Sequence, residues 1–170
     1  MQSSEKPQST PTSDALRGLI DKIIVYRFTR NVDRELKARK ISHSELSEAC
    51  GRARNWFNNA FNGLEDMRVS TFLKLFAAVS KLSEAKMQFQ WNPPAIEALF
   101  DGDLFRLSAL ALDLRTDDIE TLADLDPTLV DFFVGLRVYV EALKGVQKKA
   151  TDEEIHAFEY VLETLQSKRR

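Results

Sequence analysis

The stretch ACGRARNWFNNAFNG, residues 49–63, gathers two arginines, four asparagines, a tryptophan and two phenylalanines around the glycines Gly51 and Gly63. Arginine can pair bidentately with guanine O6 and N7, and asparagine with adenine N6 and N7, so a helix face rich in both fits the reading of base edges. The rest of the chain offers little for catalysis. The single cysteine, Cys50, has no partner for an internal disulfide, and with the two histidines His43 and His156 it cannot close a zinc site without several carboxylates. Cys50 is expected to be a small core residue, and His156 has no triad partner in view. There is no nucleotide loop, no paired His/carboxylate spacing and no activated nucleophile, so no enzyme activity, metal or cofactor is expected.

The elements that would present this stretch read as helices throughout. Leu, Ala, Glu, Lys and Arg dominate, glycine is scarce, and the fold class expected is all-α. Residues 1–13 are rich in Ser, Thr, Pro and Gln and are expected to be a disordered tail. Leu16, Leu19, Ile20, Ile23, Ile24, Val25 and Phe28 fall at helical spacing from Asp14, with Ser13 available as N-cap, and a second stretch from Asn31 to Lys40 either continues that helix or follows a break near Thr29. Ser42 and Glu45 make an S-x-x-E capping box, and Gly51 is placed to end the short helix behind it. A further helix is expected from about Arg52 to Phe61, stopping at Asn62-Gly63, and Ser70 is expected to cap the next, over residues 70–82.

Two short helices joined by a glycine turn, with longer helices on either side, is a helix-turn-helix order. Leu46, Gly51, Arg54, Phe57, Ala60 and Gly63 within ELSEACGRARNWFNNAFNG resemble the Cro/repressor-type (XRE-like) helix-turn-helix family, over about residues 31–82. The resemblance implies that the second helix of the motif enters the major groove while neighbouring groups hold phosphates. Arg52, Arg54, Asn55, Asn58 and Asn59 would then read bases, with Phe57 and Ala60 turned inward. Ser42, His43, Ser44, Asn62 and Arg68 would meet the DNA backbone, and Trp56 would touch either DNA or a protein. The chain departs from the family pattern at His43, where glutamine is frequent, and at Leu36 and Phe61, where an Arg–Glu pair often joins the first helix to the third.

Beyond residue 82 the resemblance stops. Asn92-Pro93-Pro94 reads as a helix start, Gly102 as an interruption, and Thr116 and Asp126-Pro127 as two more starts, the second helix ending at Gly145. Thr151 and Glu154 repeat the capping-box spacing. Residues 83–93 are expected to be a linker and residues 94–170 an acidic helical domain, behind a DNA-binding domain at 14–82 that includes an N-terminal helical extension. Charge follows this division. Residues 17–82 hold 13 Lys/Arg against 7 Asp/Glu, whereas residues 83–167 hold 7 against 17. Lys168 to Arg170 read as a solubilising tail.

The apolar stretch 129–143 is expected to be buried either by its own domain or by a partner, and Phe132, Phe133, Leu136, Tyr139 and Val140 are the candidate dimer or partner surface. No stretch is apolar enough to span a membrane, and a cytoplasmic location is expected. The reading that follows is a sequence-specific DNA-binding regulator, a homodimeric repressor of bacterial or mobile-element origin acting on double-stranded DNA. The alternative is a phage- or plasmid-type interaction or inhibitor protein that holds another protein through residues 83–170.

Overall fold

The computed structural model describes residues 10–87 and 93–170. Residues 1–9 of the expected tail, and Asn92 of the Asn92-Pro93-Pro94 signal, lie outside the described residues. Among the described residues there are ten helices and no strand, so the chain is all-α. No helix among them is long and apolar enough to cross a membrane.

Helix α1 runs unbroken over Pro11–Ala38. It starts one turn earlier than Ser13 predicts, because Thr10 takes the capping role: its Oγ1 accepts the Ser13 N–H at 3.2 Å, and Ser13 itself is buried inside the helix. Nor does Thr29 break it. The Thr29 hydroxyl donates back to the carbonyls of Val25 at 2.9 Å and Tyr26 at 3.0 Å, so a buried polar group is satisfied without leaving the helix.

The next three helices are α2 (His43–Ala49), α3 (Trp56–Gly63) and α4 (Val69–Met87). Both halves of the Ser42/Glu45 capping box are present, and Gly51 closes α2 with φ +70°, a conformation that costs an L side chain energy. Helix α3 begins four residues later than the sequence indicates, and Arg52 to Asn55 form the turn before it. Its exit also differs. Gly63 is its last helical residue and Leu64, not glycine, takes the left-handed conformation at φ 53°, with burial of the Leu64 side chain offsetting the strain. Helix α4 continues to Met87, through the first part of the expected linker.

The remaining helices are α5 (Ile96–Leu99), α6 (Gly102–Asp113), α7 (Ile119–Leu125), α8 (Thr128–Gly135), α9 (Arg137–Leu143) and α10 (Asp152–Lys168). The apolar stretch expected as one helix to Gly145 is two. The chain turns at Leu136, whose N–H is shared by the carbonyls of Phe132, Phe133 and Val134, and Gly135 leaves open space at the bend. Asp118, rather than Thr116, caps α7, its carboxylate accepting the Thr121 N–H at 2.7 Å.

The chain divides into two units. One comprises residues up to Ile24, Arg106–Gly145 and Lys149–Arg170; the other comprises Val25–Phe105 and Val146–Lys148. In the first, Leu16, Leu19, Ile20 and Ile23 of α1 are buried, as are Leu107, Leu110, Phe133, Val140, Phe158 and Leu162. Phe133 stacks on Phe158 with ring centroids 4.8 Å apart. Three of the five candidate dimer residues, Phe133, Leu136 and Val140, are thus core residues of their own unit and offer no surface. Tyr139 is half-buried, and Phe132 lies under the Arg106 guanidinium, 4.4 Å from its centroid.

The basic C-terminus is not a loose tail. Lys168 pairs with Glu120 of α7 at 2.9 Å, and Arg169 holds both carboxylate oxygens of Asp131 on α8. Deeper in the same unit, Glu154 of α10 closes a capping box with Thr151 and pairs with Lys22 of α1 at 2.8 Å.

Candidate nucleic-acid interface

In the unit that carries α2 and α3, an inner row of side chains fixes the pair and an outer row is left to solvent. Phe57 and Ala60 are buried on the inner side of α3, and Leu46 and Ser47 on that of α2. The two helices are joined by a polar tie: Ser47 Oγ accepts the Phe57 N–H at 3.0 Å while donating to the His43 carbonyl at 2.7 Å. Asn55, the N-cap of α3, makes no side-chain cap bond, so this buried serine satisfies a first-turn N–H from another helix. Ser47→Ala leaves that N–H without a partner and is expected to cost about 1–3 kcal/mol. Denaturant unfolding measures it; an unchanged midpoint would remove the tie from the account.

The His43 ring is part of this inner structure. Its Nε2 lies 2.7 Å from Asp33 Oδ1 on α1, and its centroid lies 4.8 Å from that of Phe57, with the rings perpendicular, and 5.1 Å from that of Phe61, with the rings tilted. Burial raises the Asp33 pKa, but Lys37 and His43 outweigh it and hold the carboxyl below its usual range. His43 therefore locks α2 to α1 and α3 instead of pointing outward for a phosphate.

The far end of α3 is tied by residues that sequence reasoning did not find. Arg30 of α1 lies between the rings of Tyr26 and Phe61, 4.1 and 3.4 Å from their centroids, and donates to the Phe61 carbonyl at 2.8 Å. A cation at a helix C-terminus also complements its dipole. The Gln147 N–H donates to the Asn62 carbonyl at 3.0 Å, which brings the short segment 146–148 into this unit. Only the closeness of Tyr26 and Arg30 on one helix face hinted at the first tie, and nothing local hinted at the second.

On the outer side, Arg52, Arg54, Asn55, Asn58, Asn59 and Asn62 are all exposed. They do not all lie on α3, since the two arginines and Asn55 precede it. Arg54 Nε pairs with Glu48 Oε1 at 2.9 Å; both side chains are open to solvent, so the pair is worth only about 0–1 kcal/mol and leaves the guanidinium available. Arg52 donates to Thr71 Oγ1 on α4 at 3.1 Å, with its guanidinium 5.8 Å from the half-buried Trp56 ring. Asn62 Nδ2 donates to the Asn58 carbonyl and Oδ1 at 3.0 and 3.2 Å, fixing the Asn58 amide from one turn below. Arg68, at the start of α4, is exposed. Cys50 is buried, which pushes its thiol above the ordinary range despite the nearby charges of Arg52 and Lys74.

Ser42 and Ser44 sit at the start of α2, their hydroxyls 3.1 Å apart. Glu45 accepts the Ser42 N–H at 2.7 Å and pairs with Lys86 of α4 at 2.7 Å. Lys86 first, and the Ser42 bonds second, hold the Glu45 carboxyl at about 2, against 4.5 when free. A depressed carboxylate contributes stability that is fully present above its unfolded value and is lost as pH falls toward its folded one. Glu45→Gln should therefore flatten the stability–pH curve between about 4.5 and 2, measured by urea titration at stepped pH; identical curves would contradict the pairing. No protein-family model, curated protein or solved structure matches the chain.

Proposed function

We propose that this protein is a sequence-specific double-stranded DNA-binding transcriptional regulator that acts as a homodimer, a repressor of the helix-turn-helix type. In this reading α2, the turn at residues 50–55 and α3 form the motif, and the outer row lies in the major groove. One observation carries it: a helix seated by buried Phe57 and Ala60 that presents Asn58 and Asn59 outward, directly after exposed Arg52, Arg54 and Asn55. These side chains match the acceptor and donor pairs of guanine and adenine edges. Ser42, Ser44 and Arg68 at helix starts and Asn62 at the end of α3 are the phosphate contacts of this reading, and His43 positions α2.

Selection of binding sites from random duplexes at two salt concentrations tests it. An enriched two-fold symmetric site is expected. Arg54→Ala should lose roughly 1–3 kcal/mol of affinity and relax the preference at one base pair, while Arg68→Ala should weaken all sequences alike and reduce the salt slope by about 1. Weak binding that disappears with salt, without an enriched site, would rule the reading out.

A second reading, an interaction protein whose C-terminal helices hold another protein, is favoured by exposed Leu125, Val138 and Tyr160 in the acidic unit. It becomes the preferred one if selection returns no site.

A further inference from the structure

The turn that carries Arg54 is held by its backbone. The Gly51 N–H donates to the Glu48 carbonyl, the Arg52 N–H to the Ser47 carbonyl and the Trp56 N–H to the Ala53 carbonyl, each at 2.9 Å. These bonds bracket residues 51–56, but the Arg54 side chain is 77% exposed, so packing does not orient it. Its partner does: Nε pairs with Glu48 Oε1 at 2.9 Å.

Glu48 is the last residue but one of α2. A carboxylate there faces the negative end of the helix dipole, and no basic residue stands in that turn to offset it. The pair with Arg54 is exposed on both sides and adds little to stability. A charge set against its own helix is the kind of local conflict that functional sites carry.

The chemistry of the pair gives the conflict a purpose. Arginine carries its N–H donors in a planar fork. With Nε engaged by Glu48, the two terminal nitrogens are the free edge, and two parallel donors match guanine O6 and N7; adenine answers the same edge with a donor at N6. The carboxylate also sets what Arg54 avoids. An unpaired arginine on a flexible stem finds phosphates, which carry no sequence information. Beside Glu48 the pair is neutral, so the pull of the phosphates is offset. Against a duplex, where water and salt are displaced, both effects exceed their size in the free protein.

We propose that Glu48 is a positioning residue that commits Arg54 to guanine and withholds it from the phosphate backbone. The inference rests on the DNA reading above and adds to it the base that Arg54 reads and the residue that enforces the choice.

Site selection with the full chain, repeated for Glu48→Ala, Glu48→Gln, Arg54→Ala and the double alanine variant, tests it, with affinity for one unrelated duplex measured alongside. The unaltered chain should require guanine at the base pair that Arg54→Ala relaxes. Glu48→Ala should lower that preference at least about fivefold, the low end of what one bidentate contact discriminates. It should also bind the unrelated duplex more tightly, with a salt slope steeper by about 1. Glu48→Gln keeps an acceptor for Nε and loses the charge, so it should keep most of the guanine preference and still gain affinity for unrelated DNA. The double variant should bind every sequence more tightly than Arg54→Ala, which leaves the carboxylate alone against phosphates, with no further change in base preference. A guanine preference that survives Glu48→Ala, a different base pair relaxed by it, or a lowered denaturant midpoint, the mark of a structural role, overturns the proposal and leaves the DNA reading standing. Another base required at that pair overturns it too, and an unaltered chain that enriches no site overturns both.

Discussion

Phe57→Ala is expected to cost the α2–α3 unit roughly 3–5 kcal/mol, the range for truncating a fully buried phenylalanine. The Phe57 ring has no exposed surface, and it lies within ring-to-ring reach of His43, Trp56 and Phe61 at 4.8, 6.2 and 6.4 Å. Its backbone N–H is the one held by Ser47. A cavity here therefore loosens three things together: the seat of α3, the packing that keeps the His43 ring against Asp33, and the tie between the two short helices. Helices of seven and eight residues have almost no stability of their own and exist through such packing. A loss of this size is a large part of the 5–15 kcal/mol that holds an ordinary domain. Hydrogen exchange of residues 43–63 measures it, with Phe57→Leu as comparison at about 1 kcal/mol, since a nearly volume-conserving change keeps most of the contacts. Slow exchange in the alanine variant would mean that α3 is held by its two end ties and not by its buried face.

How much of this was legible follows from how local each signal is. The capping boxes at Ser42 and Thr151 and the left-handed Gly51 need only a few neighbouring residues, and each occurs where the sequence puts it. The alternation of buried Phe57 and Ala60 with exposed Asn58 and Asn59 is a helical pattern, and it too could be read directly. The start of α3 could not. Arg52 to Asn55 have ordinary helix propensity, but Ser47 supplies its N–H bond at Phe57 and Arg52 reaches sideways to Thr71, so tertiary contacts set the first turn. At Leu36 and Phe61 the sequence lacks the Arg–Glu pair that the resemblance implies between α1 and the end of α3. Leu36 is a buried core residue, and the link to Phe61 comes from Arg30, whose guanidinium lies on the ring. A stacked cation of this kind leaves no mark in hydrophobic spacing. The bend at Leu136 was hidden for a different reason: an apolar run reads the same whether it forms one buried helix or two, and Gly135 is a weak breaker on its own.

Asp101→Ala should be the most damaging polar substitution in the same unit, at roughly 3 kcal/mol, the low end of the range for breaking a buried ion pair because the site keeps some contact with water. Asp101 stands between α5 and α6 and serves three partners. Its carboxylate accepts from Arg27 Nε at 2.8 and 3.0 Å, from Asn31 Nδ2 at 3.0 Å and from the Leu104 N–H at 3.0 Å. Burial raises its pKa, yet Arg27, Asn31 and the Leu104 N–H outweigh that and hold it below the usual carboxylate range. Alanine strands the buried Asn31 amide with only the Leu99 carbonyl and leaves Arg27 leaning on Asp103 at 3.1 Å. Asp101→Asn separates charge from shape, since it keeps an acceptor for Leu104 while losing the attraction for Arg27, and it should cost less than alanine. Because the folded pKa is depressed, the stability Asp101 supplies is present above its unfolded value near 3.8 and is lost as pH falls through the folded one. The gap between Asp101→Ala and the unaltered chain should therefore be full at pH 7 and narrow in acid. A gap that does not narrow at all as pH falls below about 3.8 would assign the loss to packing and not to the charge.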